Sequence, residues 1–205
     1  MATQTSSPVH ARRWLVLVVM MLAYFLVFLN SFLLDRAIAA IQRGLDASSF
    51  QGQAILSAYA VAFIVIMLTG VGERLGARYG RKRLFLRGLL VFMLFALLCS
   101  LAPSTVLLII VRGVQGLAAG LMIPQAAALI QGNFLPYKTS ISVGSGIVTA
   151  VLAVIAGSNL GGVLTTSNVF GLGWRAVFLV NIPMGLLVLV AVLLVIREPY
   201  VPGSH

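Results

Sequence analysis

Two long apolar runs enclose one short basic stretch, Gly72-Glu-Arg-Leu-Gly-Ala-Arg-Tyr-Gly-Arg-Lys-Arg83, in which five of twelve residues are Lys or Arg. One run ends at Gly72 and the next begins at Leu84, so the stretch is expected to form a tight loop at a membrane surface. A soluble domain covers itself with charge, whereas here 9% of residues are charged and 60% are hydrophobic. With a mean hydropathy of +1.08, the chain reads as an integral membrane protein. The net charge of +10 lies in short segments between apolar runs and in the N-terminal tail. That distribution reflects membrane topology rather than a phosphate-binding face, so the expected partner is the lipid bilayer and not nucleic acid.

A helix needs about 20 apolar residues to cross the hydrocarbon, and six runs meet that length. Residues 1–13 form a polar N-terminal tail expected in the cytoplasm. Span one runs from Trp14 to about Leu34 and continues to Ile41, followed by a loop from Gln42 to Gln53. Span two covers about Ala54–Val71, span three Leu84–Leu101 and span four Thr105–Gln131. Span five covers about Ser140–Leu164, and span six about Ala176–Ile196. The domain reading is therefore a six-span bundle over 14–196, with a cytoplasmic tail over 197–205. The first apolar run is too long for the core of a cleavable signal peptide.

Charge sets the orientation. Arg12, Arg13, Arg74, Arg78, Arg81, Lys82, Arg83, Arg87, Lys138 and Arg197 fall on one side of a six-span arrangement; Arg36, Arg43 and Arg175 fall on the other. Lys and Arg are retained in the cytoplasm, so both termini are expected there, in the plasma (inner) membrane of the cell.

Arg112 lies inside span four, and an intramembrane charge needs a partner or an aqueous cavity. It is either tied to backbone carbonyls or lines a cavity together with Gln115. In span five, Gly144, Gly157 and Gly161 can form a packing groove. In span one, Phe25, Phe28, Phe32 and Arg36 share a stripe at 100° per residue, with Asp35 at its edge and Asn30 nearly opposite. That stripe either packs or forms a wall for apolar cations. Arg112 is about seven residues, or roughly 10 Å, inside span four, and Asp35 sits slightly shallower in span one. Their pairing is an expectation to test. Trp174 is expected at the membrane interface. Asn181 is expected to satisfy a carbonyl freed by Pro183. Cys99 is the single cysteine, so a disulfide framework and a cysteine-based metal site are excluded; it reads as a buried inert thiol. No catalytic constellation, phosphate loop or metal-ligand cluster is present in the sequence, so no enzyme activity and no cofactor are expected.

Several of these segments carry a family resemblance. Glu73-x-Leu75-Gly76-Ala77-Arg78-x-Gly80-Arg81-Lys82-Arg83 resembles the loop between the second and third helices of the major facilitator superfamily. Glu73 stands where that pattern has its first Gly, and Ala77 where it has an Asp. Arg112, Gln115 and Gly116 match the Arg-x-x-Gln-Gly of the fourth helix. Gly157-Ser158-x-x-Gly161-Gly162 is similar to the antiporter motif of the fifth, with Ser158 at its proline. That departure predicts a less kinked helix. Asn30-Ser31 align with the Asp-Thr of the fourteen-span exporters, leaving Asn30 unable to titrate. Gly173-Trp174-Arg175 through Gly185 resembles the sixth helix of the drug:proton antiporter branch.

The resemblance implies an all-α membrane fold, the N-terminal six-helix half of a major facilitator transporter built as two inverted three-helix repeats. It implies proton-coupled efflux of small molecules by a half-size or truncated exporter that works with a second copy or a separate C-terminal half. Asn30, Asp35, Arg36, Arg112 and Gln115 would then line the substrate and proton pathway. The alternative is a transport-inactive membrane protein with a binding or scaffolding role, toward which Asn30, Ala77 and Ser158 point.

Overall fold

The computed structural model describes residues 8–134, 139–167 and 171–196, with backbone alone at 8–11 and 139–142. Its elements are α1 (Pro8–Leu45), α2 (Ser49–Thr69), α3 (Val71–Tyr79), α4 (Arg81–Leu101), α5 (Thr105–Gln131) and α6 (Thr139–Thr166). A 3-10 turn at Gly173–Arg175 then leads into α7 (Ala176–Leu179) and α8 (Asn181–Val195). Among the described residues, six helical segments are long and apolar enough to cross a membrane. The tail expectation over 197–205 lies outside the described residues.

Two expected boundaries are corrected. The loop between spans one and two is short, because α1 continues to Leu45 and α2 begins at Ser49. Ser48 caps α2 through a reciprocal box with Gln51, whose backbone N–H donates to the Ser48 hydroxyl at 3.2 Å. The basic stretch is not a loop either: residues 71–79 form the helix α3. Gly70 at φ 62° and Gly80 at φ 91° bracket it, and both lie in the region that glycine tolerates best. A place between two apolar runs does not require a loop, because nine residues without proline can form two helical turns.

Span six runs over Gly173–Val195, close to the expected bounds, with a local irregularity at Val180 between α7 and α8. Pro183 has no N–H, and its ring crowds the carbonyl four residues back, at Leu179. Asn181 does not reach that carbonyl. Its Nδ2 donates instead to Val177 O at 3.3 Å and Phe178 O at 3.1 Å, one turn earlier. By contrast α6 runs unbroken through Ser158, as expected without a proline there.

Helix α1 packs chiefly on α6, and α2 on α5, while α5 also packs on α4 and α1 on α8. Exchanging spans one, two and three for four, five and six converts the first pair into the second and the third into the fourth. That correspondence is the signature of two three-helix repeats. In lipid, close helix approach replaces hydrophobic burial as the driving force, and small residues permit it. Gly157 and Gly161 lie against Leu29, Phe32 and Leu33 of α1; Gly116 and Gly120 lie against Tyr59, Phe63 and Ile66 of α2. A Cβ at Gly161 would overlap Leu33 O, and one at Gly116 would overlap Tyr59 O. Gly144 does not join this groove, since nothing lies within 4 Å of where its Cβ would be. Thirteen residues before Gly157, it lies about 220° around α6 and so on another face.

Candidate functional site

Two apolar clusters fill the bundle. One joins Val16–Val27 of α1 with Phe85, Phe92, Met122 and Val192; the other joins Leu29–Ile41 with Ile55, Leu108, Trp174 and Phe178. Between them lies a thin polar layer. Asn30 comes from α1, Tyr59 from α2, Arg112 and Gln115 from α5, and Asn181 from the start of α8. All five are at most 3% exposed. Four of the helices thus place polar side chains together in the bundle interior.

Arg112 is 1% exposed and the largest side chain fully inside the bundle. Its Nη1 donates to Gln115 Oε1 at 2.9 Å, one turn along the same helix. Its guanidinium carbon stands 4.2 Å from the centre of the Tyr59 ring and 6.0 Å from that of Phe178. Insertion of such a charge costs about 2.5–3.5 kcal/mol. A charge-assisted hydrogen bond returns about 1.5–3 kcal/mol and a desolvated cation–π contact about 2 kcal/mol, so the residue is stable where it lies. The expectation of a tie to backbone carbonyls is corrected, because a side-chain amide and a ring hold Arg112. Tyr59 was missed in the sequence reading, since one tyrosine in an apolar helix carries no spacing signal.

On the other side of the layer, Asn181 Nδ2 donates to Asn30 Oδ1 at 3.1 Å, and Tyr59 Oη donates to Val27 O at 3.1 Å. Cys99 is buried, with its Sγ 3.9 Å from Gln115 Oε1. Four buried atoms in the layer have no hydrogen-bond partner: Asn30 Nδ2, Arg112 Nε, Gln115 Nε2 and Asn181 Oδ1.

Asp35 and Arg36 do not join the layer. Both are exposed, more than one turn beyond Asn30 along α1. Arg112 makes its direct contacts with Gln115, Tyr59 and Phe178; it forms no direct ion pair with Asp35, although the two charges still act on each other. The physical reason is local: Gln115 lies on the same face one turn away, within easier reach than a residue of another helix. Phe25 and Phe28 are half-buried against the second cluster and Phe32 backs onto Gly157, so this stripe serves packing. Trp174 is also inside, 5% exposed, against Gly44 and beneath Arg175 at 4.5 Å. Gly44, in the last turn of α1, leaves the indole a slot, so Trp174 packs at that end of the bundle rather than projecting from it.

The basic segment divides into two faces. Gly72 and Gly76 of α3 are buried against Pro124 and Gln125 of α5, and Gln125 Nε2 donates to Gly72 O at 2.7 Å. Glu73, Arg78, Arg81 and Arg83 face outward, and Gly80 forms the corner. Lys82 instead turns in and donates to Ile196 O, while Arg12 Nε reaches Val195 O at 3.5 Å. Two cations thereby meet the carbonyl end of α8, where the helix dipole favours them. In α6, Gly157 and Gly161 make the close approach to α1, Ser158 is half-buried, and Gly162 faces open space.

Comparison with known proteins follows the same outline. A family model described as the Major Facilitator Superfamily matches residues 20–205. The chain is 36% identical over 200 residues to the "Probable actinorhodin transporter" of Streptomyces coelicolor, covering 98% of this chain and 34% of that protein. It is 37% identical over 185 residues to the "Probable multidrug resistance protein EmrY" of Escherichia coli, covering 90% of this chain and 35% of that protein. The chain therefore spans about a third of the length of these relatives. Its fold is that of a bacterial homologue of the human lysosomal transporter Spinster, solved inward-facing and unoccupied. The TM-score is 0.72 at 19% identity, with 98% of this chain and 46% of that chain covered.

Proposed function

Because the chain belongs to the major facilitator superfamily, we propose that it is one six-span half of a small-molecule exporter of the cell membrane. It handles substrate at the polar layer around Arg112 and works with a second half, either a separate six-span unit or another copy. The observation that carries this reading is similarity along nearly the whole chain to relatives named for transport and for multidrug resistance. Coupling to protons belongs to the same reading, with both termini and the basic face of α3 in the cytoplasm and the six-span unit spanning 14–196. Arg112 and Gln115 handle substrate directly; Asn30 holds Asn181, and Asp35 and Arg36 stand at the outer mouth. The residues of α3 (Glu73, Gly76, Arg78, Gly80, Arg81, Lys82 and Arg83) fix the inner end of the bundle, and Gly157, Ser158, Gly161 and Gly162 set the α1–α6 approach.

The test is accumulation of fluorescent aromatic drugs in efflux-deficient cells. The chain is expressed alone and with a six-span partner half from an exporter of the same family. Lower accumulation that collapses with the proton gradient is expected in at least the paired cells. Unchanged accumulation in both, with the chain present in the membrane, favours the binding or scaffolding alternative.

A further inference from the structure

The donors and acceptors in the polar layer can be assigned from chemistry alone. Arg112 can only donate, so the Gln115 atom it meets at 2.9 Å is the oxygen, and Gln115 Nε2 is left unpartnered. The carbonyls of Val177 and Phe178 can only accept, so Asn181 gives them its amide nitrogen. That nitrogen also meets Asn30, which must present oxygen and keep Asn30 Nδ2 unpartnered. Neither amide can flip without losing these bonds. The layer therefore holds three donors without a partner, Asn30 Nδ2, Arg112 Nε and Gln115 Nε2, against Asn181 Oδ1 and the unused lone pairs of the Tyr59 hydroxyl, which faces Asn30.

Its net charge has the same sign. Of the chain's four acids, Asp46 and Glu73 lie outside the spans and Glu198 lies outside the described residues. Asp35 remains; it is exposed and forms no direct ion pair with Arg112, so it acts on the guanidinium only at a distance and leaves the cation in the layer uncompensated by any buried acid. The rings of Tyr59 and Phe178 flank the guanidinium. A buried cation with surplus donors and aromatic walls complements an aromatic anion and disfavours an aromatic cation.

We infer that Arg112, Gln115 and Asn30 form a receptor for the anionic group of an aromatic substrate, a carboxylate or phenolate held between Tyr59 and Phe178. The inference rests on the polar layer being where the exporter handles substrate. It makes the substrate class acidic aromatics rather than lipophilic cations.

The test is binding by the full chain in lipid nanodiscs, read as a shift of thermal midpoint and as tyrosine and tryptophan fluorescence. The probes are 1-naphthoate, sodium chloride against sodium gluconate, and tetraphenylphosphonium. Saturable stabilisation by 1-naphthoate is expected, weaker with chloride and absent with the cation. Arg112→Gln should weaken naphthoate binding at least about tenfold, and Gln115→Leu and Asn30→Leu, which keep the charge, several-fold each. Should Arg112→Gln fail to fold, Arg112→Lys tests the same point, because it keeps the charge but loses the fork and should bind more weakly than wild type. Naphthoate binding unaffected by all four substitutions overturns the inference, as does tighter binding of the cation. A response to chloride alone assigns the layer to a free ion and also overturns it. Binding is read without transport, so a failure here leaves the exporter reading standing, and absent efflux leaves this one standing.

Discussion

Asn181 and Asn30, 151 positions apart in the chain, meet through one amide hydrogen bond of 3.1 Å in the bundle interior. The bond closes the polar layer on the side away from Arg112 and ties the start of α8 to α1. Interhelical hydrogen bonds of this kind average about 0.6 kcal/mol and reach about 1.7. In a double-mutant cycle of Asn30→Leu and Asn181→Leu, the double variant should be less destabilised than the sum of the single ones. The gap should be about 0.5–1.5 kcal/mol. Additive losses in denaturant titrations would mean that the two amides do not interact.

The glycines of α5 and α6 divide sharply by what a methyl group would meet. Gly116→Ala and Gly161→Ala would push into the backbone of Tyr59 and Leu33 and should each cost about 1–3 kcal/mol of stability. Gly144→Ala and Gly162→Ala meet open space, and helix propensity alone favours them by up to about 1 kcal/mol. Thermal midpoints of the four variants would reveal whether the helix pairs are as close as described.

At Gly76 the obstacle is a side chain. A methyl there meets the Gln125 amide, which also holds Gly72 O at 2.7 Å. Gly76→Ala should therefore release that hydrogen bond and loosen α3, raising proteolysis at the arginines of 74–83. Combining it with Gln125→Ala should recover part of the loss, because the clash disappears. No recovery would show that α3 is held by something else.

Topology is open to direct labelling. With Cys99 replaced by Ala, single cysteines at Ser49, Tyr79 and Ser167 should divide so that Tyr79 is labelled from the cytoplasm and the other two from outside. All three positions are exposed. Any other division contradicts the charge-based orientation.

The spans were legible because about 20 apolar residues in a row have few alternatives. Arg112 and Gln115 were legible because a charge in an apolar run must be accommodated. The partner of Arg112 was not, since the choice between Gln115 and Asp35 depends on side-chain reach and helix rotation, which hydropathy does not encode. Tyr59 and the Asn30–Asn181 pair were hidden for a related reason, because both come from contacts across helices far apart in sequence. Helix α3 escaped because its hold on α5 rests on Gly72 and Gly76, whose spacing reads equally well as loop composition. The irregularity between α7 and α8 was within reach, as Pro183 announced it, but the carbonyls that Asn181 would serve were not.

The account turns on the polar layer being the working centre of the bundle. Its most direct test is drug accumulation in efflux-deficient cells carrying the chain and a partner half, compared between wild type, Arg112→Lys and Arg112→Gln. Membrane levels are matched by immunoblot. The account predicts that wild type lowers accumulation, that Arg112→Lys retains part of the effect, and that Arg112→Gln abolishes it. Export by Arg112→Gln equal to wild type, at equal membrane levels, would contradict it.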